Sequence, residues 1–268
     1  MTTQQPPTNA TARVAFITGA SSGIGYATAL AFAREGVHVV AAARRMDRLA
    51  ELQKAVLKLP AAHGDILLIE ADVTRPETLT EGVKLALGRF GRLDILVANA
   101  GLGHRGSLVD ADWSDIDTLL RTNIDGVLHS IRASVPVMRA SGGGHILIIS
   151  SVTYNLTSPY AALYAASKAF VSSLAHSLRL ELEGEHIKVT DVLVGRTQTE
   201  FNDKRLGAGK RTGEGVPTMS PDQVAAAIVR ATHGNPRSVI VRFFDRLLIW
   251  GNIFIPEIIG RIALRQYR

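Results

Sequence analysis

The 268-residue chain is 46% hydrophobic, enough for one large core, and α/β folds of this length are routinely single domains. It contains no cysteine, which excludes disulfides, thiolate chemistry and a cysteine-based zinc site, and which fits a reducing, cytoplasmic compartment. Thirty basic residues against 24 acidic ones leave a net charge of +6; they are scattered, unlike those of a nucleic-acid binder, and suit a phosphate-rich small molecule.

Residues 1–12 are polar and Pro-containing, without the order of a signal peptide, and are expected to form a loose tail. Short β-branched runs then alternate with longer helical patterns. Strands are expected at 14–18, 37–42, 66–70, 95–98, 145–149, 188–192 and 238–241. Helices are expected at 24–34, 48–58, 77–89, 113–139, 160–183 and 221–233. Alternation of this kind makes βαβ units on a parallel sheet. The strands are too continuously apolar to have a wet face, so helices should cover both sides. The expected fold is a Rossmann-type doubly wound α/β domain over residues 13–242.

The first strand runs into Thr18-Gly19-Ala20-Ser21-Ser22-Gly23-Ile24-Gly25, and a helix follows. Glycines here let the backbone turn sharply and approach a pyrophosphate, while the helix N-terminus offers free N–H groups to the anion. The second strand ends Ala43-Arg44-Arg45. NAD-binding folds place an acidic residue there for the ribose 2′-OH; a guanidinium instead pairs with a 2′-phosphate, so NADP(H) is expected. Arg44 with Ser21 is the expected contact, and Arg45 either assists or is solvated. Further on, Tyr164 and Lys168 stand at i and i+4, on one helix face. A phenol is a poor base at neutral pH unless a neighbouring ammonium favours its phenolate. Ser151, thirteen residues earlier, closes the fifth strand at the sheet edge where such a site belongs.

With glycines spaced G-x-x-x-G-x-G and Tyr-x-x-x-Lys downstream, residues 12 to 240 resemble the short-chain dehydrogenase/reductase family, in its single-domain NADP(H)-preferring form. The resemblance implies an oxidoreductase acting on a carbonyl/secondary alcohol pair. It makes Tyr164 the general acid/base, Lys168 its activator and ribose contact, and Ser151 a donor to the substrate oxygen. Asn123 would support a water relay to Lys168. Asp72-Val73 would sit at the adenine, and Asn99-Ala100-Gly101 matches the family's N-N-A-G with Ala98 for the first Asn. After the sixth strand Gly195 and Thr199 match a Pro-Gly-x-x-x-Thr pattern in which Val194 replaces Pro; Thr197 or Thr199 would meet the carboxamide or a phosphate. No metal site is implied. Sugar-nucleotide epimerases share Tyr-x-x-x-Lys, but usually with other glycine spacing and a longer C-terminal domain. Inactive scaffolds tend to lose the Tyr or Lys retained here.

The family commonly pairs two helices with their symmetry mates, implying a homodimer or homotetramer. In helix 160–183 Phe170, Leu174, Leu178 and Leu182 make an apolar stripe, and Ala161, Ala165, Ala169 and Ser172 are small enough for close approach. Leu120, Ile124, Val127, Leu128 and Ile131 make a similar stripe in helix 113–139, and packing on the sheet is the plainer reading of both. Residues 199–218, rich in Gly and charge, are a candidate mobile lid. Tyr154, Leu156 and Phe201 suggest a partly apolar substrate pocket; His104 is expected to be solvated, with a substrate contact the alternative. The apolar segment 243–268 is interrupted by charges and by Pro256, so a spanning helix is not expected. Packing on the pocket, an oligomer contact, or a peripheral membrane helix with Arg261, Arg265 and Arg268 at its basic end remain open.

Overall fold

The computed structural model describes residues 12–60, 62–209 and 218–265. Residues 1–11 of the expected tail and 210–217 of the expected lid lie outside them. Among the described residues seven strands form one sheet in the order β3-β2-β1-β4-β5-β6-β7. They are β1 (Val14–Thr18), β2 (His38–Ala43), β3 (Ile66–Glu70), β4 (Ile95–Ala98), β5 (Gly144–Ser151), β6 (Ile187–Val194) and β7 (Ser238–Ile240). Every neighbouring pair is parallel.

Period-two alternation divides the core into two layers. Val14 and Phe16 of β1 face the side covered by α3 (Pro76–Phe90), α5 (Gly126–Ala140) and α6 (Ala162–Glu181). Ala15 and Ile17 face the side covered by α1 (Gly23–Arg34), α2 (Met46–Leu57) and α7 (Pro221–Thr232). Both faces are therefore dry, as the continuously apolar strands require. Strand order reverses between β1 and β4, and the crevice beyond the carboxyl ends of the strands at that point is where such sheets hold ligands.

The expected helix 113–139 divides into α4 (Trp113–Leu120), a wide π turn at Arg121–Asp125, and α5. Helix 160–183 begins two residues later than its periodicity suggests, because Tyr160 takes a left-handed φ of 58°. The apolar C-terminal segment forms α8 (Phe243–Phe254) and α9 (Pro256–Leu264), bent by 116° where Ile255 and Pro256 interrupt the hydrogen-bonded run. No single helix among the described residues is long and apolar enough to cross a membrane.

Candidate active site

At the carboxyl edge of the sheet lies a cavity of about 890 Å³. One end is the loop Gly19–Gly25. Gly19 (φ 66°) and Gly23 (φ 56°) adopt backbone that side chains resist. A Cβ on Gly25 would stand 2.4 Å from the Gly19 carbonyl oxygen, and one on Gly19 would stand 2.9 Å from Ala100 Cα. The floor is therefore bare backbone, as close approach of a pyrophosphate demands. Thr18 and Asn99 brace it: the Thr18 hydroxyl accepts from the N–H groups of Asn99 and Ala100, and Asn99 Nδ2 donates to the Thr18 carbonyl at 2.9 Å. These bonds hold the β1 and β4 ends together in a chain with Ala98 where a second Asn is usual.

Beside this loop the two arginines are placed differently. Arg45, not Arg44, reaches the Gly loop, donating to Ser21 Oγ at 3.2 Å and Ser22 Oγ at 2.8 Å. It also pairs with Glu200 at 3.2 Å from across the cavity. Arg44 is exposed and stands 3.8 Å from Asp72. Partial burial disfavours the Asp72 carboxylate, but hydrogen bonds from Thr74 N–H and Oγ1, with Arg44 and Arg75 nearby, outweigh it and hold that carboxyl below its usual range. Asp72 and Val73 line the cavity, and Asp72 also organises the turn into α3 through Thr74. Ala43, Ile24, Ala100 and Gly101 line it too.

Tyr164, Lys168 and Ser151 meet at the other end. Ser151 Oγ accepts from Thr153 N–H at 3.2 Å and Thr153 Oγ1 at 2.9 Å, which leaves its own O–H for Tyr164 or a substrate oxygen. Burial pushes the Tyr164 phenol up to about 12, against a hydrogen bond with Ser151. This is opposite to the direction expected from Lys168. The ammonium is turned onto the Ile149 carbonyl at 2.8 Å and lies 5.9 Å from the Tyr164 ring centre. Burial pulls Lys168 down to about 8, opposed by the field of Asp191. Asp191 is fully buried on β6; burial raises its pKa against hydrogen bonds from Ser150 and Ser172 and the proximity of His176 and Lys168.

Asn123 is buried in the π turn. Its side chain clamps the loop after β4, accepting from Leu102 N–H at 2.7 Å and donating to the Leu102 carbonyl at 2.9 Å and Ser167 Oγ at 3.0 Å. A Cβ on Gly101 would lie 3.2 Å from Asn123 Oδ1 and 3.5 Å from Lys168 Nζ, so this glycine keeps the space between them open.

Phe201 tilts against Tyr164 with ring centres 5.8 Å apart, and the Thr199 methyl sits over Gly23. The described part of the expected lid is pinned: Leu206 N–H donates to Gly103, Arg105 N–H to Leu206, and Gly209 N–H to Arg105. Thr197 Oγ1 donates to the Gly195 carbonyl, and Thr197 bridges to Met219. Tyr154 and Leu156 do not line the cavity; they pack on Val152, Leu193 and Ile249. His104 lines it but is 4% exposed, with both ring nitrogens unpartnered, so it is not a solvated loop residue. Sequence reasoning missed Arg242 and Asp245, which pair at 2.6 and 2.9 Å against Gly195, where a Cβ would meet Asp245 at 2.2 Å. The two charges at i and i+3 entering an apolar run were the available signal.

A family model for the short chain dehydrogenases matches residues 13–208. The chain is 35% identical over 234 residues to an uncharacterized oxidoreductase of Staphylococcus haemolyticus, covering 86% of this chain and 96% of that one. It is 38% identical over 223 residues to the glycine betaine reductase ATRR of Emericella nidulans, covering 82% of this chain but spanning only 17% of that protein's length. The alcohol dehydrogenase of Thermococcus sibiricus, solved with 5-hydroxy-NADP, superposes with a TM-score of 0.73 at 29% identity over 85% of this chain and 92% of that one. The chain belongs to the short-chain dehydrogenase/reductase family, oxidoreductases that use a nicotinamide cofactor.

Proposed function

We propose that this chain transfers a hydride between NADP(H) and a carbonyl or secondary alcohol, with Tyr164 exchanging the proton. The observation that carries the reading is one continuous cavity: Arg44, Arg45 and Ser21 line one end, and Ser151, Tyr164 and Lys168 the other. Arg45 with Ser21 and Ser22 would hold a 2′-phosphate, the Gly19–Gly25 backbone the pyrophosphate, Asp72 and Val73 the adenine side, and Lys168 a ribose hydroxyl. When bound, the nicotinamide gives or takes the hydride.

In the reducing direction a phenol with its pKa raised to about 12 is protonated at neutral pH and is a ready donor to a forming alkoxide. Ser151 donates to the same oxygen. In the oxidising direction the phenolate must be stabilised, and the two cationic or hydrogen-bonding neighbours available are Lys168 and Ser151. His104, buried in the wall without a partner, is a candidate contact for a second polar group on a substrate, near the apolar Val152, Phe201 and Leu248. The working assembly under this reading is a two-fold homodimer joined along α6.

The test is NADPH or NADH oxidation with a panel of carbonyls, followed at the nicotinamide absorbance, in the natural protein and in Tyr164→Phe. Turnover with NADPH, lost in Tyr164→Phe while NADPH binding survives, is the expected result. Retention of most activity by Tyr164→Phe would refute the assignment.

A further inference from the structure

Two of the three buried side chains of α8 are polar, Asp245 and Asn252 beside Ile249. Asp245, 1% exposed, and Asn252, 9% exposed, face the protein body. Asn252 Oδ1 accepts from Thr157 N–H at 3.0 Å, and its amide donates to the Asn155 carbonyl. Asp245 holds Arg242 against Gly195. The opposite side carries Phe243, Leu247, Trp250 and Phe254, at i, i+4, i+7 and i+11, which is one stripe of a helix. These are 72, 54, 63 and 75% exposed. Beyond the bend α9 adds Ile258 and Ile262, both exposed, while Gly260 packs inward against Thr157. An amphipathic helix that only completes a core turns this pattern the other way round, and a contiguous exposed apolar face on this scale marks an interaction surface.

Its rim is basic. Arg246, Arg261 and Arg265 are exposed around the stripe, and the one acidic side chain among them, Glu257, stands 3.9 Å from Arg261. A two-fold contact with a second copy would bring this patch onto itself, laying one basic rim on another. An anionic lipid surface meets both features at once: aromatic and branched side chains enter the headgroup boundary while arginines meet phosphate and carboxylate groups. The 116° bend lets both short helices lie along one surface instead of entering it end-on.

We propose that the outer face of α8 and α9 docks this protein on an anionic lipid bilayer. The same two helices contribute Leu248 and Ala263 to the cavity wall, so docking sets the active-site cavity beside the lipid surface.

The test uses the full chain with two kinds of vesicle, phosphatidylcholine alone and phosphatidylcholine mixed with phosphatidylglycerol, read by co-sedimentation and by tryptophan emission. The chain has two tryptophans, so Trp113→Phe leaves Trp250 as the reporter. Expected are co-sedimentation with the anionic vesicles, a blue shift of Trp250 emission, and weaker binding in high salt. Trp250→Ser with Phe254→Ser should weaken partitioning by about tenfold or more, since both side chains are fully on the outer face. Arg261→Gln with Arg265→Gln should remove the preference for anionic vesicles. Because all four side chains are exposed, these variants should retain NADPH binding, which serves as the check of folding. Absence of binding to either vesicle, or unchanged binding in the Trp250/Phe254 variant, overturns the proposal. Loss of a larger assembly in that variant, without vesicle binding in the natural protein, assigns the face to a second copy and overturns it equally.

Discussion

At the scale of single residues, the two arginines after β2 are chemically alike but differently placed, and their placement separates their effects. Arg45 is held by two serines of the phosphate loop and by Glu200, so it is positioned before any ligand arrives. Arg44 is largely in solvent, where an ion pair contributes little. Arg45→Ala should therefore narrow the proposed preference for NADPH over NADH by about tenfold, or ~1.4 kcal/mol, and Arg44→Ala by less. Titration of both cofactors into both variants checks the order, and a larger effect from Arg44 would return the phosphate contact to that residue. Beneath the other end, Asp191 favours the charged form of Lys168. Lys168, charged below about pH 8, loses its proton as pH rises, so reduction that requires the ammonium should fall on the alkaline side. Asp191→Asn removes the opposing field and should move that alkaline limb of kcat/KM to lower pH, leaving the acidic limb in place. An unmoved profile would mean that Asp191 does not act on Lys168. Asp191 touches no substrate under this reading; it is a positioning residue.

At the scale of elements, local pattern and tertiary contact part company around the π turn. A glycine at the start of α5 looks like a weak point, since alanine favours helices by about 1 kcal/mol. Gly126, however, faces Val73, whose Cγ2 would lie 2.6 Å from an added Cβ. Overpacking of a buried contact costs roughly 1–3 kcal/mol and outweighs the propensity gain. Gly126→Ala should lower stability, with a reduced urea midpoint at unchanged slope; a stabilised variant would show that Val73 moves aside freely. The strands and most helices were legible because periodicity and β-branched runs act locally: β1, β3 and β4 lie at the expected residues, while β2 begins one residue later. That Tyr164, Lys168 and Ser151 share one cavity was legible because spacing on a helix and at a strand end fixes direction. The π turn was not: Asn123 within it bonds Leu102, a contact 21 residues away in sequence that no local pattern announces. The different placement of Arg44 and Arg45 was hidden for the same reason, because Glu200 reaches Arg45 from 155 residues on. The burial of His104 depends on the segment near Leu206 closing over it, which no pattern around residue 104 announces.

At the scale of the whole molecule, the outward side of α6 offers a face on which two copies could meet. The small residues expected there, Ala161, Ala165, Ala169 and Ser172, are partly or fully covered by the protein itself. Val127, Ile131 and Leu182 belong to the core, with Leu174 and Leu178 packed against it, so most of the apolar stripes serve the sheet. The exposed line of α6 is instead Ala162, Ala166, Phe170, Ser173, Ser177, Leu180 and Glu181. Its small members allow a second helix to approach closely, and Phe170 and Leu180, 44 and 72% exposed, supply the apolar area. A two-fold axis across this line pairs α6 with its own copy and places no basic cluster against itself. It also lies on a different element from the outer face of α8 and α9, so assembly and lipid docking make separable demands. We therefore propose a homodimer through α6, and expect Phe170→Glu to dissociate it, because each dimer would bury two carboxylates without partners. Light scattering at micromolar concentration checks this: a dimer for the natural chain and a monomer for Phe170→Glu are expected. A natural chain that is monomeric at that concentration refutes the dimer, and a dimer that persists in Phe170→Glu moves the axis to another face. Trp250→Ser with Phe254→Ser should leave the dimer intact, which separates the two surfaces in one experiment.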